Sequence, residues 1–143
     1  MIGVLLISHG KMAEGMLDTV QMVLGEEDGI DYVSLEPGED YNEFSMRIDE
    51  KIRSLDEGDG VIVLADLFGA SPFNMTQRVA RDLERQGIRS RLVAGMNLGM
   101  IVEIMVLRRG SLLDELTDVA ISCGRQGIGC PVEVTDEEDE DDY

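Results

Sequence analysis

The 143-residue chain has no tryptophan, 4% aromatic residues, two cysteines, three prolines and one histidine. Because aromatic side chains are so few, the core must be built from aliphatic residues and from the nine methionines. Two cysteines and one histidine are too few ligands for a zinc site unless carboxylates join them, so we expect no metal. A chain of this length can bury the core of one domain without disulfides or metal.

Basic side chains are also scarce, with 12 Lys and Arg against 30 Asp and Glu and a formal net charge of −18. This balance excludes nucleic-acid binding, which requires cations that neutralise phosphates. No run approaches the roughly 20 apolar residues of a membrane span, and residues 1–9 lack a signal-peptide pattern, so we expect a cytoplasmic protein. Seven of the acidic groups lie in residues 135–143. We predict a disordered acidic tail there, with no assigned function, after a single domain over residues 1–134.

Apolar runs and helix-like periodicities alternate along the chain. We predict strands at residues 2–7, 30–35, 61–65, 91–95 and 131–134, and helices at residues 11–24, 40–55, 71–86, 98–107 and 112–123. Continuous apolar runs are typical of parallel strands covered on both faces. Strands that alternate with helical crossovers predict a three-layer α/β/α sandwich around a mostly parallel four-stranded sheet of order 2134, with residues 131–134 as an edge strand.

The single histidine, His9, follows the first apolar run, and Asp66 follows the third. In a doubly wound sheet these two strands are neighbours where the strand order reverses, so both side chains should reach one crevice. A carboxylate that accepts from Nδ1–H leaves Nε2 unprotonated and nucleophilic, and it stabilises positive charge on the ring during attack. We therefore predict His9 and Asp66 as the catalytic residues.

Two predicted helix starts flank this crevice, one after Gly10 and one at Ser71, which we expect to be an N-cap followed by Pro72 as the first helical residue. Helix starts bind anions through free backbone N–H groups, and Gly10 and Gly69 let the backbone approach a phosphoryl group closely. Ser71, Gly10 and Gly69 are therefore the predicted phosphate-binding residues. No Walker pattern or carboxylate cluster suggests a Mg²⁺–nucleotide site, so we expect no cofactor and a phosphoryl group delivered by another protein.

Four segments carry a resemblance to a known family. They are residues 7–15 (ISHGKMAEG), 35–39 (LEPGE), 66–74 (DLFGASPFN) and 94–98 (AGMNL). Over residues 1–134 the sequence resembles the IIA component of the mannose/fructose/sorbose-type family of the bacterial phosphoenolpyruvate-dependent sugar phosphotransferase system (PTS). The S-P-F-N ending of the third segment is the most specific part. Ala70 departs from the family pattern, where many members carry a second glycine, and so does Gly99, where proline is common.

The resemblance implies a phosphotransferase in which His9 accepts a phosphoryl group from phospho-HPr and passes it to a histidine of a IIB protein. It implies that Asp66 orients His9 and that Ser71 lies near the phosphate. IIB is expected to be a separate chain, and the membrane components IIC and IID indirect partners. The family fold adds an antiparallel edge strand, exchanged between the two copies of a homodimer, for which residues 131–134 are the candidate.

Three alternatives stay open from the sequence. The chain could serve as the phosphocarrier of a dihydroxyacetone kinase, which the S-P-F-N segment disfavours. It could be a IIA-like regulator that controls another protein. In a different class, it could be a receiver-like signalling module with Asp66 as the phosphoacceptor, although receivers need further acidic residues after the first strand. Selectivity for the transported sugar is expected to lie in the membrane components.

Overall fold

Strands and helices alternate along residues 1–132, the part of the chain that the computed structural model describes. In chain order the elements are β1 (Gly3–His9), α1 (Met12–Leu24), β2 (Ile30–Leu35), α2 (Tyr41–Leu55), β3 (Val61–Ala65), α3 (Ser71–Glu84), β4 (Ser90–Ala94), α4 (Leu98–Leu107) and α5 (Leu113–Gln126). A short 3₁₀ turn, Arg108–Gly110, connects α4 to α5. None of the helices in this range is long and apolar enough to cross a membrane.

The four strands form one parallel sheet in the order β2-β1-β3-β4, which confirms the predicted order. β1 and β3 are the central strands, and all their residues are buried except His9 at the end of β1. Burial on both faces explains why these two strands read as continuous apolar runs. The strands pair with Ile7 opposite Ala65, which brings their carboxyl ends side by side.

Helices cover both faces of the sheet, as the predicted three-layer sandwich requires. Alternate residues of β1 point into two cores, since successive side chains of a strand lie on opposite faces. Val4 and Leu6 pack with residues of α1, α4 and α5, whereas Leu5 and Ile7 pack with residues of α2 and α3. The first core contains the methionines of α4 and the loop before it, in keeping with the expected use of methionine as a core filler.

Most element boundaries lie within two residues of the predicted ones, and α5 differs most. This helix continues to Gln126, three residues beyond its predicted end. Gly124 lies inside the helix, where it packs closely against α4. A Cβ at Gly124 would lie 2.6 Å from Cε of Met100. This glycine is therefore a contact point between two helices.

Half of the predicted edge strand lies beyond the described residues. Pro131 and Val132 form no strand in the part of the chain that the structure describes, and Val132 is exposed. Residues 133–143 lie outside the described range. The antiparallel edge strand, its exchange in a dimer and the acidic tail therefore stay predictions.

The amino-terminal end of the sheet is closed by the fully buried side chain of Arg108. Its guanidinium donates to the carbonyl oxygens of Gly29 at 3.0 Å, Ile2 at 3.4 Å and Asp28, and the carboxylate of Glu27 lies 3.7 Å away. Burial lowers the pKa of Arg108. This contact, which the sequence analysis missed, joins the loop before β2 to the start of β1.

Candidate functional site

Two side chains at the carboxyl ends of the central strands form a hydrogen-bonded pair. His9 is the last residue of β1, and Asp66 follows β3 directly. Oδ2 of Asp66 lies 2.7 Å from Nδ1 of His9 and also accepts from the His9 amide at 2.9 Å. Oδ1 of Asp66 accepts from the amide of Leu67 at 2.9 Å. Because a carboxylate only accepts hydrogen bonds, Nδ1 carries the proton, and in the neutral ring the lone pair is on Nε2.

The two members of the pair differ in exposure. The side chain of His9 is 49% exposed, whereas that of Asp66 is 11% exposed. The carboxylate is therefore shielded behind the ring it holds, and the ring is accessible to another molecule. This division suits a histidine that acts as a nucleophile and an aspartate that fixes its tautomer and orientation.

Ser8, which the sequence analysis did not single out, fixes the start of α1 beside the histidine. Its side chain is buried, and its Oγ accepts from the amide of Ala13 at 2.8 Å. This hydrogen bond satisfies one of the free amides in the first turn of α1, as a capping residue does. A small hydroxyl residue between a predicted strand and a predicted helix was the sequence signal that could have identified this cap. The hydrogen bond connects the end of β1, next to His9, to the first turn of α1.

The predicted glycines lie at tight turns beside the pair. Gly10 and Gly69 have φ angles of 54° and 76°, in the left-handed region that glycine tolerates best. No atom lies within 4 Å of a Cβ built at either position, so both leave open space on the site side. The amide of Gly10 donates to the carbonyl oxygen of Leu35 at 2.8 Å. Gly10 therefore shapes the turn, and its own N–H is already used.

Ser71 is not the N-cap that the sequence predicted. The helix begins one residue earlier, since the amide of Asn74 donates to the carbonyl oxygen of Ala70 at 2.9 Å and Ala70 is the extended capping residue. Pro72 is then the second helical residue, where its missing N–H costs no helical hydrogen bond. The hydroxyl of Ser71 is directed elsewhere and donates to Oη of Tyr41 at 3.1 Å.

An open depression of about 450 Å³ lies beside the histidine. Its lining residues come from the end of β1, the loop that follows β2 and the start of α2: His9, Gly10, Leu35, Glu36, Pro37, Gly38, Glu39 and Tyr41. The second of the family-like segments, residues 35–39, therefore forms one side of the site. The sequence analysis had assigned those residues no role in the site.

An ion pair holds this side of the depression in place. Arg47 on α2 binds the carboxylate of Glu39 through Nε and Nη2, and Nη2 also donates to the carbonyl oxygen of Ser34 at 2.7 Å. The amide of Glu36 donates to Oε1 of Glu39 at 3.2 Å. Burial opposes ionisation of Glu39, but the hydrogen bonds from Arg47 and the backbone outweigh it and lower the pKa of this carboxyl.

Apolar side chains are exposed around the histidine. Leu67 and Phe68, in the loop after Asp66, are 59% and 78% exposed, and Met12 at the start of α1 is 42% exposed. The ring of Phe68 packs against that of Phe73, with centroids 4.7 Å apart. Exposed aromatic residues and methionines are enriched in protein interfaces. The rim of the site is therefore suited to contact with another protein.

Together, the strand order and the histidine–carboxylate pair where that order reverses define a doubly wound α/β domain with one exposed nucleophilic nitrogen. Known proteins agree with this class. The family model described as PTS system fructose IIA component (EIIA-man) matches residues 3–121. The PTS system mannose-specific EIIAB component of Escherichia coli (strain K12) is 33% identical over 128 residues, which are 89% of this chain and 38% of that protein. The chain thus spans little more than a third of this relative.

Two crystal structures share the fold. EIIA of the phosphotransferase system from Streptococcus agalactiae superposes with a TM-score of 0.82 at 23% identity, covering 91% of this chain and 97% of that one. The PTS IIA protein associated with the fucose utilization operon of Streptococcus pneumoniae gives a TM-score of 0.77 at 29% identity, covering 90% and 91%. The chain belongs to the mannose-type IIA family, the phosphoryl-transfer components of sugar phosphotransferase systems.

Proposed function

We propose that this chain is a phosphohistidine carrier of the cytoplasm, in which Nε2 of His9 accepts a phosphoryl group from phospho-HPr and donates it to a IIB protein. The observation that supports this most directly is the 2.7 Å contact between Nδ1 of His9 and Asp66 in a ring whose other nitrogen is exposed. Sugar uptake and phosphorylation then depend on the IIB protein and on the membrane components IIC and IID.

The transfer step exchanges one P–N bond for another. The lone pair on Nε2 of His9 attacks phosphorus while the P–N bond to the donor imidazole breaks, and that imidazole leaves with the bonding electron pair. Positive charge develops on the His9 ring, whose Nδ1–H remains hydrogen-bonded to the carboxylate of Asp66. The carboxylate stabilises this charge and keeps the ring in the attacking orientation. In the transfer to IIB, His9 becomes the leaving group: a nitrogen of the acceptor attacks phosphorus while the P–N bond to Nε2 of His9 breaks, and His9 keeps the bonding electron pair.

Histidine suits a relay, because transfer between two imidazoles keeps the free energy of the phosphoryl bond nearly constant. A serine ester would trap the group instead. Little covalent chemistry is left for the protein to perform, so catalysis consists of alignment and charge stabilisation. We therefore propose a histidine as the acceptor on the IIB protein as well.

The surroundings of His9 fit a protein donor. The apolar rim of Met12, Leu67 and Phe68 offers contact area, and the depression is open to solvent. The net charge of −18 attracts a basic partner surface and speeds its encounter with this chain. We propose that Ser71, Gly69 and Gly10 surround the arriving phosphoryl group, with Gly10 acting through the shape of its turn.

A receiver-like function, with Asp66 as phosphoacceptor, is disfavoured by the same geometry. The Asp66 carboxylate accepts three hydrogen bonds and is covered by the His9 ring, so His9 is the accessible nucleophile of the pair. The regulatory and dihydroxyacetone-kinase alternatives keep the chemistry at His9 and differ only in the acceptor.

The test is phosphorylation of the purified chain by phosphoenolpyruvate, enzyme I and HPr. Wild type should carry an acid-labile, base-stable phosphoryl group, and His9→Ala should carry none. Asp66→Asn should slow labelling by roughly 10²-fold or more, because an amide no longer fixes the tautomer. Asp114→Asn, which alters an exposed ion pair on α5, is the matched control and should label normally. Label that persists in His9→Ala, or depends on Mg²⁺ and Asp66 with acetyl phosphate as donor, would overturn the assignment.

We also propose that two copies of the chain associate through residues 131–134. The groove they would occupy follows the open edge of β4, where Phe73, Leu92, Ile121 and Ile128 line a cavity of about 340 Å³. Sedimentation of the full chain should give a dimer. A chain truncated after residue 128 should sediment as a monomer, and an unchanged dimer would refute the role of this segment.

A further inference from the structure

We infer that Tyr41 is a positioning residue of the phosphoryl site, a role that rests on the proposed phosphorylation of His9. Tyr41 lines the same depression as His9, and its Oη accepts a hydrogen bond from the hydroxyl of Ser71 at 3.1 Å. The family-like segments of the sequence do not include Tyr41.

The hydrogen bond crosses the end of the strand that carries the histidine. Tyr41 follows β2 and Ser71 follows β3, whereas His9 ends β1, which lies between those two strands in the sheet. The two hydroxyls therefore meet at the site from either side of β1. This hydrogen bond links the first residue of α2 to the first residue of α3 beside the histidine.

The backbone at Tyr41 is fixed by a helix cap, although the tyrosine side chain is not part of the core. It is the first residue of α2, and Oδ1 of Asp40 accepts from the amides of Asn42 at 2.6 Å and Glu43 at 3.4 Å, which fixes the start of that helix. The tyrosine side chain is 51% exposed and belongs to neither of the two hydrophobic cores. The position of the exposed Tyr41 ring is therefore explained by the hydrogen bond between its hydroxyl and Ser71.

The pair of hydroxyls supplies one proton to the depression. Two hydroxyl groups carry two protons, and the bond between them uses one. With a phosphoryl group on His9 the two hydroxyls exchange roles: Tyr41 donates to Oγ of Ser71, and the proton of Ser71 remains free. A hydroxyl that accepts a hydrogen bond is also a stronger donor. The free proton can therefore be donated to a phosphoryl oxygen on His9, where negative charge is spread over three oxygens.

Because Tyr41 acts through Ser71, removal of the Tyr41 hydroxyl should slow the same step as removal of the Ser71 hydroxyl, namely phosphoryl transfer to His9. Tyr41→Phe keeps the ring and deletes only the hydroxyl, so Ser71 loses its partner and the donated hydrogen bond is misplaced. We expect transfer from phospho-HPr to slow by about 10-fold, less than the loss at a buried oxyanion donor, because this pair is exposed.

The experiment measures single-turnover phosphoryl transfer and the ³¹P chemical shift of phosphorylated His9 in five proteins. They are wild type, Tyr41→Phe, Ser71→Ala, the double variant, and Tyr32→Phe as the matched control on β2, a hydroxyl deletion away from the depression. Tyr41→Phe should be slow and shifted, and the double variant should be no slower than Ser71→Ala. Tyr32→Phe should match wild type.

Each result decides a separate point. Equal rates and shifts for Tyr41→Phe and Tyr32→Phe, with wild type fully labelled, would overturn the role of Tyr41 and leave the proposed function intact. Independent losses that multiply in the double variant would show that Tyr41 does not act through Ser71. A wild-type chain that takes no label on His9 would refute the proposed function itself.

Discussion

Arg108 lies at the amino-terminal end of the sheet and His9 at the carboxyl-terminal end, and the fold holds these two side chains in opposite ways. At the amino-terminal end the guanidinium of Arg108 is fully buried and is surrounded by backbone carbonyl oxygens. At the carboxyl-terminal end only one nitrogen of His9 is held, and the ring is half exposed. A buried side chain held by several carbonyl oxygens contributes to stability, whereas an exposed one held by a single carboxylate retains the capacity to react. Arg108 thus has a structural role at one end of the sheet, whereas His9 is the side chain available for chemistry at the other end.

The largest expected effect is on the stability of the closed end. Arg108→Met keeps the aliphatic volume and leaves the carbonyl oxygens of Gly29, Ile2 and Asp28 without their donor. We expect a loss of about 3 kcal/mol or more in the free energy of unfolding, since each buried unsatisfied group costs about 1–3 kcal/mol. Urea unfolding followed by circular dichroism measures it.

His9→Ala is the counterpart at the open end and should change that free energy by less than about 1 kcal/mol, as is usual for exposed positions. The comparison would fail if both variants lost similar stability, because the histidine would then be structural as well.

A pair of glycines gives the next largest effect. Gly60, before β3, has φ 91°, and a Cβ there would lie 2.7 Å from Cδ2 of Leu113 and 3.0 Å from the carbonyl oxygen of Arg89. Gly60→Ala should therefore cost about 2–4 kcal/mol, from backbone strain and overpacking together.

Gly10→Ala has the same backbone strain without the clash and should cost about 1–2 kcal/mol. Thermal unfolding of the two variants, compared at the wild-type midpoint, measures the difference. Equal losses would mean that the amino-terminal end is no more tightly packed than the site.

The smallest expected effect is a pH-dependent change in stability at the ion pair between Glu39 and Arg47, which holds one side of the depression. The folded-state pKa of Glu39 lies below its ordinary value of 4.5, so its ion pair with Arg47 contributes stability above that value and loses it as the pH falls through the lowered pKa. Glu39→Gln should be less stable than wild type at pH 7 by about 0.5–1 kcal/mol, allowing for solvent screening of the half-exposed Arg47.

That difference should shrink towards zero as the pH falls through the lowered pKa of Glu39, where the carboxyl of the wild type becomes protonated. Glu50→Gln, on the exposed face of the same helix, is the control and should show no such convergence. A constant gap between Glu39→Gln and wild type across this range would show that the ionised carboxyl is not what holds the loop after β2.

Features that depend on neighbouring residues in the chain were predictable from the sequence. β1 and β3 were recognised because strands buried on both faces are continuously apolar. The proximity of His9 and Asp66 followed from topology alone, because parallel strands that are neighbours end at the same edge.

Features that depend on contacts between distant loops were not predictable. The bond between Ser71 and Tyr41 joins residues 30 positions apart, and the buried Arg108 reaches carbonyl groups 79 to 106 positions away. Arg108 precedes Arg109 and reads as surface charge. The cap of α3 was misplaced by one residue, since a serine before a proline is a common cap and only the backbone bond from Asn74 to Ala70 shows otherwise.

The pairing of Ile7 with Ala65 couples the formation of the site to the correct folding of the sheet. A slip of one residue between these strands would turn each central side chain towards the wrong layer, and it would also draw the carboxylate away from the imidazole. The proton on Nδ1 thus reports on correct assembly, and its resonance in a nuclear magnetic resonance spectrum should emerge during refolding together with the native alignment of the sheet.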